Sequence, residues 1–175
     1  MKKLKKIKNR GLVIWITGLP GSGKTSIAKK IKEKINKNFG STIVISGDDF
    51  RNIFNLKNYS RNGRIKVGKS YGKFCKFFSD KGVNVVFAAV GLFNEIRSFN
   101  RKNIKNYVEI YVKSNISKIK KIGKKKLYFK NKKNLVGVDI KPEFPKNPHI
   151  IIKNDFKKSI KTLTDEAFSK LIKLF

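Results

Sequence analysis

The chain runs to 175 residues, enough for one domain with a full hydrophobic core, and carries a formal net charge of +32 from 43 Lys and Arg against 11 Asp and Glu. One Cys excludes a disulfide framework and a cysteine-built zinc site, and no apolar run approaches the roughly 20 residues of a membrane-spanning helix. Residues 1–10 are a basic lead-in that meets the first apolar run with no cleavable hydrophobic region between them, so the cytoplasm is the expected location.

So large a positive field draws polyanions whatever the fold. The lysines are nevertheless spread along every segment and far outnumber the arginines, whereas readers of bases or bidentate phosphates favour Arg. The expectation is compositional drift with general steering of anionic substrates. Specific nucleic-acid binding is not expected.

In chain order, LVIWI (Leu12 to Ile16) reads as a central parallel strand covered on both faces, with Trp15 in its core. GLPGSGKT (Gly18 to Thr25) follows, and Gly-x-x-x-x-Gly-Lys-Thr between a strand and a helix is the phosphate-binding P-loop pattern. Its glycines let successive N–H groups face a phosphate chain, so Gly18, Gly21, Ser22, Gly23, Lys24 and Thr25 form the candidate nucleotide-binding set. Lys24 would reach the β- and γ-phosphates and the Thr25 hydroxyl would hold Mg²⁺, making ATP and Mg²⁺ the expected cofactors. Ile27, Ile31 and Ile35 then mark one face of a helix from Lys24 to about Asn38.

TIVIS (Thr42 to Ser46) is a second strand, and Asp48 falls just past its C-terminal end, where open α/β sheets keep their ligands. Asp48 is the best-placed carboxylate for orienting a Mg²⁺ water or accepting a hydroxyl proton; it is also a plausible N-cap for a short helix over Phe50 to Phe54. A polar loop from Asn55 to Arg64 leads to a helix from about Ile65 to Asp80, presenting Val67, Tyr71, Phe74 and Phe78. Arg51 and Arg64 have fixed guanidinium forks suited to an anionic substrate. Cys75 reads as a small buried side chain.

VNVVFAAV (Val83 to Val90) is a third strand, Phe93 to about Lys102 a helix with Arg97 and Arg101 on one face, and YVEIYV (Tyr107 to Val112) a fourth strand. This rhythm predicts repeated βα units and a mostly parallel sheet, a P-loop-type three-layer α/β sandwich in one domain. Residues 116–148 are rich in Lys and carry three prolines, which suits a mobile basic lid or a solvated loop. Asp139 and Glu143 there are candidate lid anchors. HIII (His149 to Ile152) is a short last strand with His149 at its start, and a final helix is expected from a cap at Asn154.

Taken in order, these segments resemble the adenylylsulfate kinase family from about Leu12 to Ile172. IWITGLPGSGKT is similar to the family's first strand and P-loop, and ISGDDFR to its Asp-Gly-Asp-x-x-Arg segment, with Asp48 and Arg51 at the second Asp and the Arg. YSRNGR (Tyr59 to Arg64) resembles its aromatic-Ser…Asp-Arg run, KKLY its lid element with Lys125, and VGVDIKPEFPKNP its late Gly-Ile-Asp-x-Pro stretch. The resemblance implies phosphorylation of the 3′-hydroxyl of adenosine 5′-phosphosulfate by Mg·ATP, a homodimer, Lys24 and Asp48 as catalytic residues, and Thr25 and Asp48 at the metal. It also implies Arg51, Tyr59, Arg64, Val90 and Lys125 as substrate-binding residues, with Tyr59 on the adenine.

Several positions depart from that pattern. Ser46 replaces the first Asp, Val67 a substrate-contacting Asn, Lys69 an Arg, Gly91–Asn94 a Ser-Pro-Tyr-Arg, and Leu135 a lid Phe that stacks on the acceptor's adenine. These lie mostly in the acceptor pocket, while the P-loop is intact. Losing a hydrogen-bonding Asn and a stacking aromatic removes several kcal/mol of recognition, on the order of 1–3 for the first and about 1 for the second. The alternative is therefore a kinase of the same fold for another activated nucleotide, such as cytidine diphosphoramidate. A basic nucleotide- or nucleic-acid-binding P-loop protein is the remaining reading.

Overall fold

The computed structural model describes residues 8–122 and 134–175. The first seven residues of the basic lead-in, and lid positions 123–133 with Lys125 among them, lie outside the described residues. The elements are β1 (Val13–Gly18), α1 (Lys24–Phe39), β2 (Thr42–Ser46), α2 (Gly47–Ile53), α3 (Arg61–Asp80), β3 (Asn84–Ala88), α4 (Asn94–Asn103), β4 (Tyr107–Lys113), α5 (Ile116–Lys121), β5 (Ile150–Lys153) and α6 (Ile160–Ile172).

The five strands form one sheet in the order β2-β3-β1-β4-β5, and every pairing is parallel. The expected α/β sandwich is thus present, with β1 at its centre. Strand alternation sends Val13 and Trp15 into one core with Ile65, Tyr71 and Ile96 of α3 and α4. Leu12, Ile14 and Ile16 enter the other core with Ile27, Ile31, Leu163 and Ala167 of α1 and α6. Trp15 is fully buried and stacked on Phe87 at 5.1 Å between ring centroids, a core residue as its position predicts. Cys75 is also fully buried, and burial pushes its thiol far up from its ordinary pKa, so it stays protonated.

Helix starts differ most from the sequence reading. α2 begins three residues before Phe50, because Ser46 caps it: the Ser46 hydroxyl accepts from Asp49 N–H, and the Asp49 carboxylate accepts from Ser46 N–H at 2.9 Å. Asp48 is therefore not the cap. α3 begins at Arg61 because the Ser60 hydroxyl accepts from Gly63 N–H at 3.1 Å. α6 is capped by Ser159, not Asn154.

Asn84, buried at the start of β3, joins both ends of the neighbouring connections. Its side-chain Oδ1 accepts from Leu12 N–H at 2.8 Å, and its Nδ2 donates to the carbonyls of Phe39 and Gly40 at 3.0 and 2.9 Å. Asn84→Ala orphans these groups at the far edge from the cavity, and an orphaned buried group costs about 1–3 kcal/mol. We expect the urea midpoint to fall correspondingly, with steady-state KM values unchanged.

Candidate active site

All five strands point their C-terminal ends to one edge, and a cavity of about 520 Å³ opens there. The loop leaving the central strand forms its floor. Gly23, at φ 93°, is the N-cap of α1; that backbone angle favours glycine, and a Cβ there would also crowd Asn154 Nδ2 at 3.0 Å. Gly18 has φ 153°, and its Cβ would lie 2.5 Å from Val112 O. Lys24 is buried and its Nζ donates to Leu19 O at 2.7 Å, while the Thr25 side chain is exposed on the cavity. The first turn of α1 contains no acidic residue. Its N-terminal N–H groups and the helix dipole thus meet the cavity uncompensated by a carboxylate, as an anion site requires.

Across the cavity stands α2. Asp48, its second residue, is exposed and lines the cavity together with Lys24 and Thr25. The Tyr71 hydroxyl donates to Gly47 O at 3.1 Å, holding the turn from which Asp48 projects. Its neighbour Asp49 is committed to the cap, and the Ser46 hydrogen bonds hold that carboxyl below the usual carboxylate range.

Arg51, Tyr59 and Arg64 form the outer wall. Arg51 donates to Leu56 O and Asn58 O at 2.7 and 3.1 Å, and Arg64 to Tyr59 O and Asn134 O at 2.9 and 2.8 Å. Both guanidiniums also pack on the Tyr59 ring, at 4.3 and 5.1 Å from its centroid. Burial, then the like charge of Arg51, lowers the Arg64 pKa. An anion bound between them would offset both costs. Val90 also reaches the cavity; its carbonyl accepts from Gly18 N–H at 3.3 Å and from the Thr17 hydroxyl, joining the end of β3 to the P-loop.

Of the departures, the remaining wall holds Gly91, Phe93 and Leu135, while Ser46 lies on the α2 side and Lys69 pairs with Glu95 away from the cavity. Phe93 and Leu135 line the cavity, but Val67 is buried in the core with Ile65 and Tyr71 and is not among the lining residues. Asp139 and Glu143 are anchors, as their rarity suggested. Asp139 accepts from Leu135 N–H at 2.8 Å, and Glu143 accepts from Asn94 N–H at 2.6 Å and from Arg61 at 2.7 Å. His149 lies at the strand start, where its Nδ1 accepts from Glu109 N–H at 2.9 Å; burial lowers its pKa, keeping it neutral.

Sequence reasoning missed Asn154 and Phe156. Asn154, buried on the cavity edge, donates to Ser22 O at 3.0 Å and so ties the P-loop to the segment after β5. Phe156, at φ 68°, lines the same end. In the sequence Asn154 looks like a helix cap, and the same side chain bonds the P-loop instead.

With this geometry established, known proteins provide the comparison. The sequence model of adenylylsulphate kinase matches residues 10–153. The chain belongs to that family. It is 37% identical over 169 residues to a cytidine diphosphoramidate kinase of Campylobacter jejuni, covering 94% of this chain and 99% of that protein. It is 32% identical over 173 residues to an adenylyl-sulfate kinase of Prochlorococcus marinus, covering 95% and 86%. The structure of the Mycobacterium tuberculosis APS kinase in complex with AMPPNP and APS superposes with a TM-score of 0.84 at 26% identity, over 93% of this chain and 98% of that one. The chain is thus an adenylylsulfate-kinase-like nucleotide kinase, a phosphotransferase. No helix among the described residues is long and apolar enough to cross a membrane.

Proposed function

We propose that this kinase transfers the γ-phosphoryl group of Mg·ATP to a ribose hydroxyl of cytidine diphosphoramidate. The acceptor side of the cavity carries this reading: Leu135, an aliphatic side chain, occupies the lining position, and Val67 turns into the core. Neither supplies the stacking ring or amide suited to a purine acceptor. The end-to-end likeness to the Campylobacter jejuni kinase supports the same acceptor. Arg51 and Arg64, converging on one wall, suit the paired anionic groups of a nucleoside diphosphate derivative.

Phosphoryl transfer is mainly positioning and charge stabilisation. In this reading, backbone N–H groups from Gly18 to Gly23 and the start of α1 cradle the ATP phosphates, Ser22 among them, and Lys24 supplies the cation that neutralises charge as the γ-phosphoryl leaves. Asp48 takes the acceptor's hydroxyl proton. Thr25 and Asp48 offer hard oxygens, too few for a dedicated cation cage, which fits Mg²⁺ delivered with a triphosphate. Thr25 and Asp48 would hold Mg²⁺ arriving with the nucleotide, which would supply further charge neutralisation. Tyr59 holds the two arginines and edges the acceptor, Val90 forms part of the wall, and Lys125 joins the substrate-binding set on the family resemblance alone. A homodimer, which rests on the family resemblance, and the cytoplasmic location expected from the sequence belong to the same proposal.

Adenylylsulfate is the second reading, favoured by the family match and by the Prochlorococcus marinus relative. Both nucleotides should be offered separately with Mg·ATP and the products separated chromatographically. We expect kcat/KM to favour the cytidine compound by about tenfold or more, the discrimination of about 1.4 kcal/mol that a shaped pocket readily gives. Equal or reversed preference would return the assignment to adenylylsulfate.

A further inference from the structure

The cavity wall at Gly91 and Phe93 is carried by the short connection between β3 and α4, and two residues outside that connection fix it. Arg97, almost fully buried on α4, donates to Gly91 O at 3.2 Å and to the Asn94 side-chain oxygen. Its guanidinium is backed by Glu109, fully buried in mid-β4, at 3.7 Å. Glu109 is also paired with Arg101 at 3.0 Å, so the carboxylate keeps a partner independent of Arg97. From the other direction Glu143 accepts from Asn94 N–H at 2.6 Å. Glu143 in turn holds Arg61, whose guanidinium lies 5.7 Å from the centre of the Phe93 ring. Glu143 N–H donates to Leu92 O at 2.8 Å, closing the contact between this connection and the segment that follows Leu135.

We propose that Arg97 and Glu143, engaging Asn94 through its side chain and its backbone N–H respectively, are positioning residues for the acceptor wall. They set Gly91 and Phe93 and thereby control acceptor binding, while the ATP half is left alone. The inference rests on the reading above that this wall belongs to the acceptor. The chemistry is that of a rigid fork: Arg97 reaches Gly91 O, the Asn94 oxygen and Glu109 from one planar group, which a flexible ammonium cannot reproduce. Phe93 is 1% exposed and Leu92 fully buried, so the wall cannot shift without disturbing this connection.

Arg97→Lys, Asn94→Ala and Glu143→Ala should be compared with the unaltered protein. Asn94 is exposed, and its truncation leaves the Arg97–Glu109 pair intact, so Asn94→Ala tests the idea even where an Arg97 variant folds poorly. We expect the acceptor KM to rise about tenfold, as small misplacements of a positioned substrate do, with the KM for ATP within about twofold. Hydrogen exchange measured by mass spectrometry should accelerate in peptides covering residues 89–95 and stay unchanged in those covering the P-loop. A KM for ATP that rises as much as that for acceptor, or unchanged exchange at 89–95, would overturn the proposal. If the unaltered protein phosphorylates neither nucleotide, the acceptor assignment fails by itself, and the exchange result still decides whether Arg97 and Glu143 hold the wall.

Discussion

Lys24→Ala should reduce turnover about 10²–10³-fold with every acceptor, and leave the fold and its melting temperature unchanged. Catalysis in phosphoryl transfer comes from positioned charge, and removing one preorganised charge or donor from such a site costs on the order of 10²–10³ in kcat. Lys24 is buried at the first residue of α1, where the helix dipole disfavours a cation. Alanine removes that conflict and is the better helix former, so stability should not fall. Circular dichroism confirms the fold, and a coupled ADP-release assay with saturating ATP measures turnover. Activity within tenfold of the parent would refute the role given to Lys24. Thermal unfolding that drops by many degrees would show instead that its bond to Leu19 O organises the loop.

The features legible in the sequence were those with local causes. TIVIS is β-branched and bounded by turn residues, and β2 covers those five residues. The P-loop carries its glycines and lysine contiguously, and its geometry follows from them. Ser46-x-x-Asp49 is a capping box readable from sequence, yet Gly47 beside it reads as a break, and α2 starts three residues before Phe50. Asn154 presents a cap residue before a helix, but Ser159 lies closer to the apolar periodicity and wins the cap, freeing Asn154 to reach Ser22.

Other features have no local signal. Arg97 and Glu109 are twelve residues apart on different elements, and they meet because β4 lies beside β1 beneath α4. Val67 shows the two kinds of inference side by side. Helical periodicity puts it on the apolar face with Tyr71, and the core contains both; the family pattern puts it at the substrate, yet it does not line the cavity. Periodicity reports which way a side chain points, and a motif position reports what stood there in relatives. Where the two disagree, the acceptor has room to differ.

Two adjacent carboxylates give the sharpest separation of chemistry from structure. Asp48→Asn should lower kcat by about 10²–10³, the range of a lost general base, with unchanged stability. The substitution is isosteric, Asp48 faces the cavity, and the helix start is held by Ser46, Asp49 and the Tyr71–Gly47 bond rather than by Asp48. Asp49→Asn should do the reverse: kcat within about twofold, and roughly 0.5 kcal/mol of stability lost, the typical size of a capping interaction. The pH dependence has a definite sign. The folded-state pKa of Asp49 is depressed by the Ser46 hydrogen bonds, so its contribution is present above the unfolded carboxylate pKa and is lost as pH falls through the lower folded value. The stability gap between parent and Asp49→Asn should therefore be constant near neutrality and close in acid, below the ordinary carboxylate range. Urea titrations at several pH values measure it. If Asp48→Asn retains parental kcat while Asp49→Asn loses it, the catalytic carboxylate is Asp49, and the capping box is the site rather than its support.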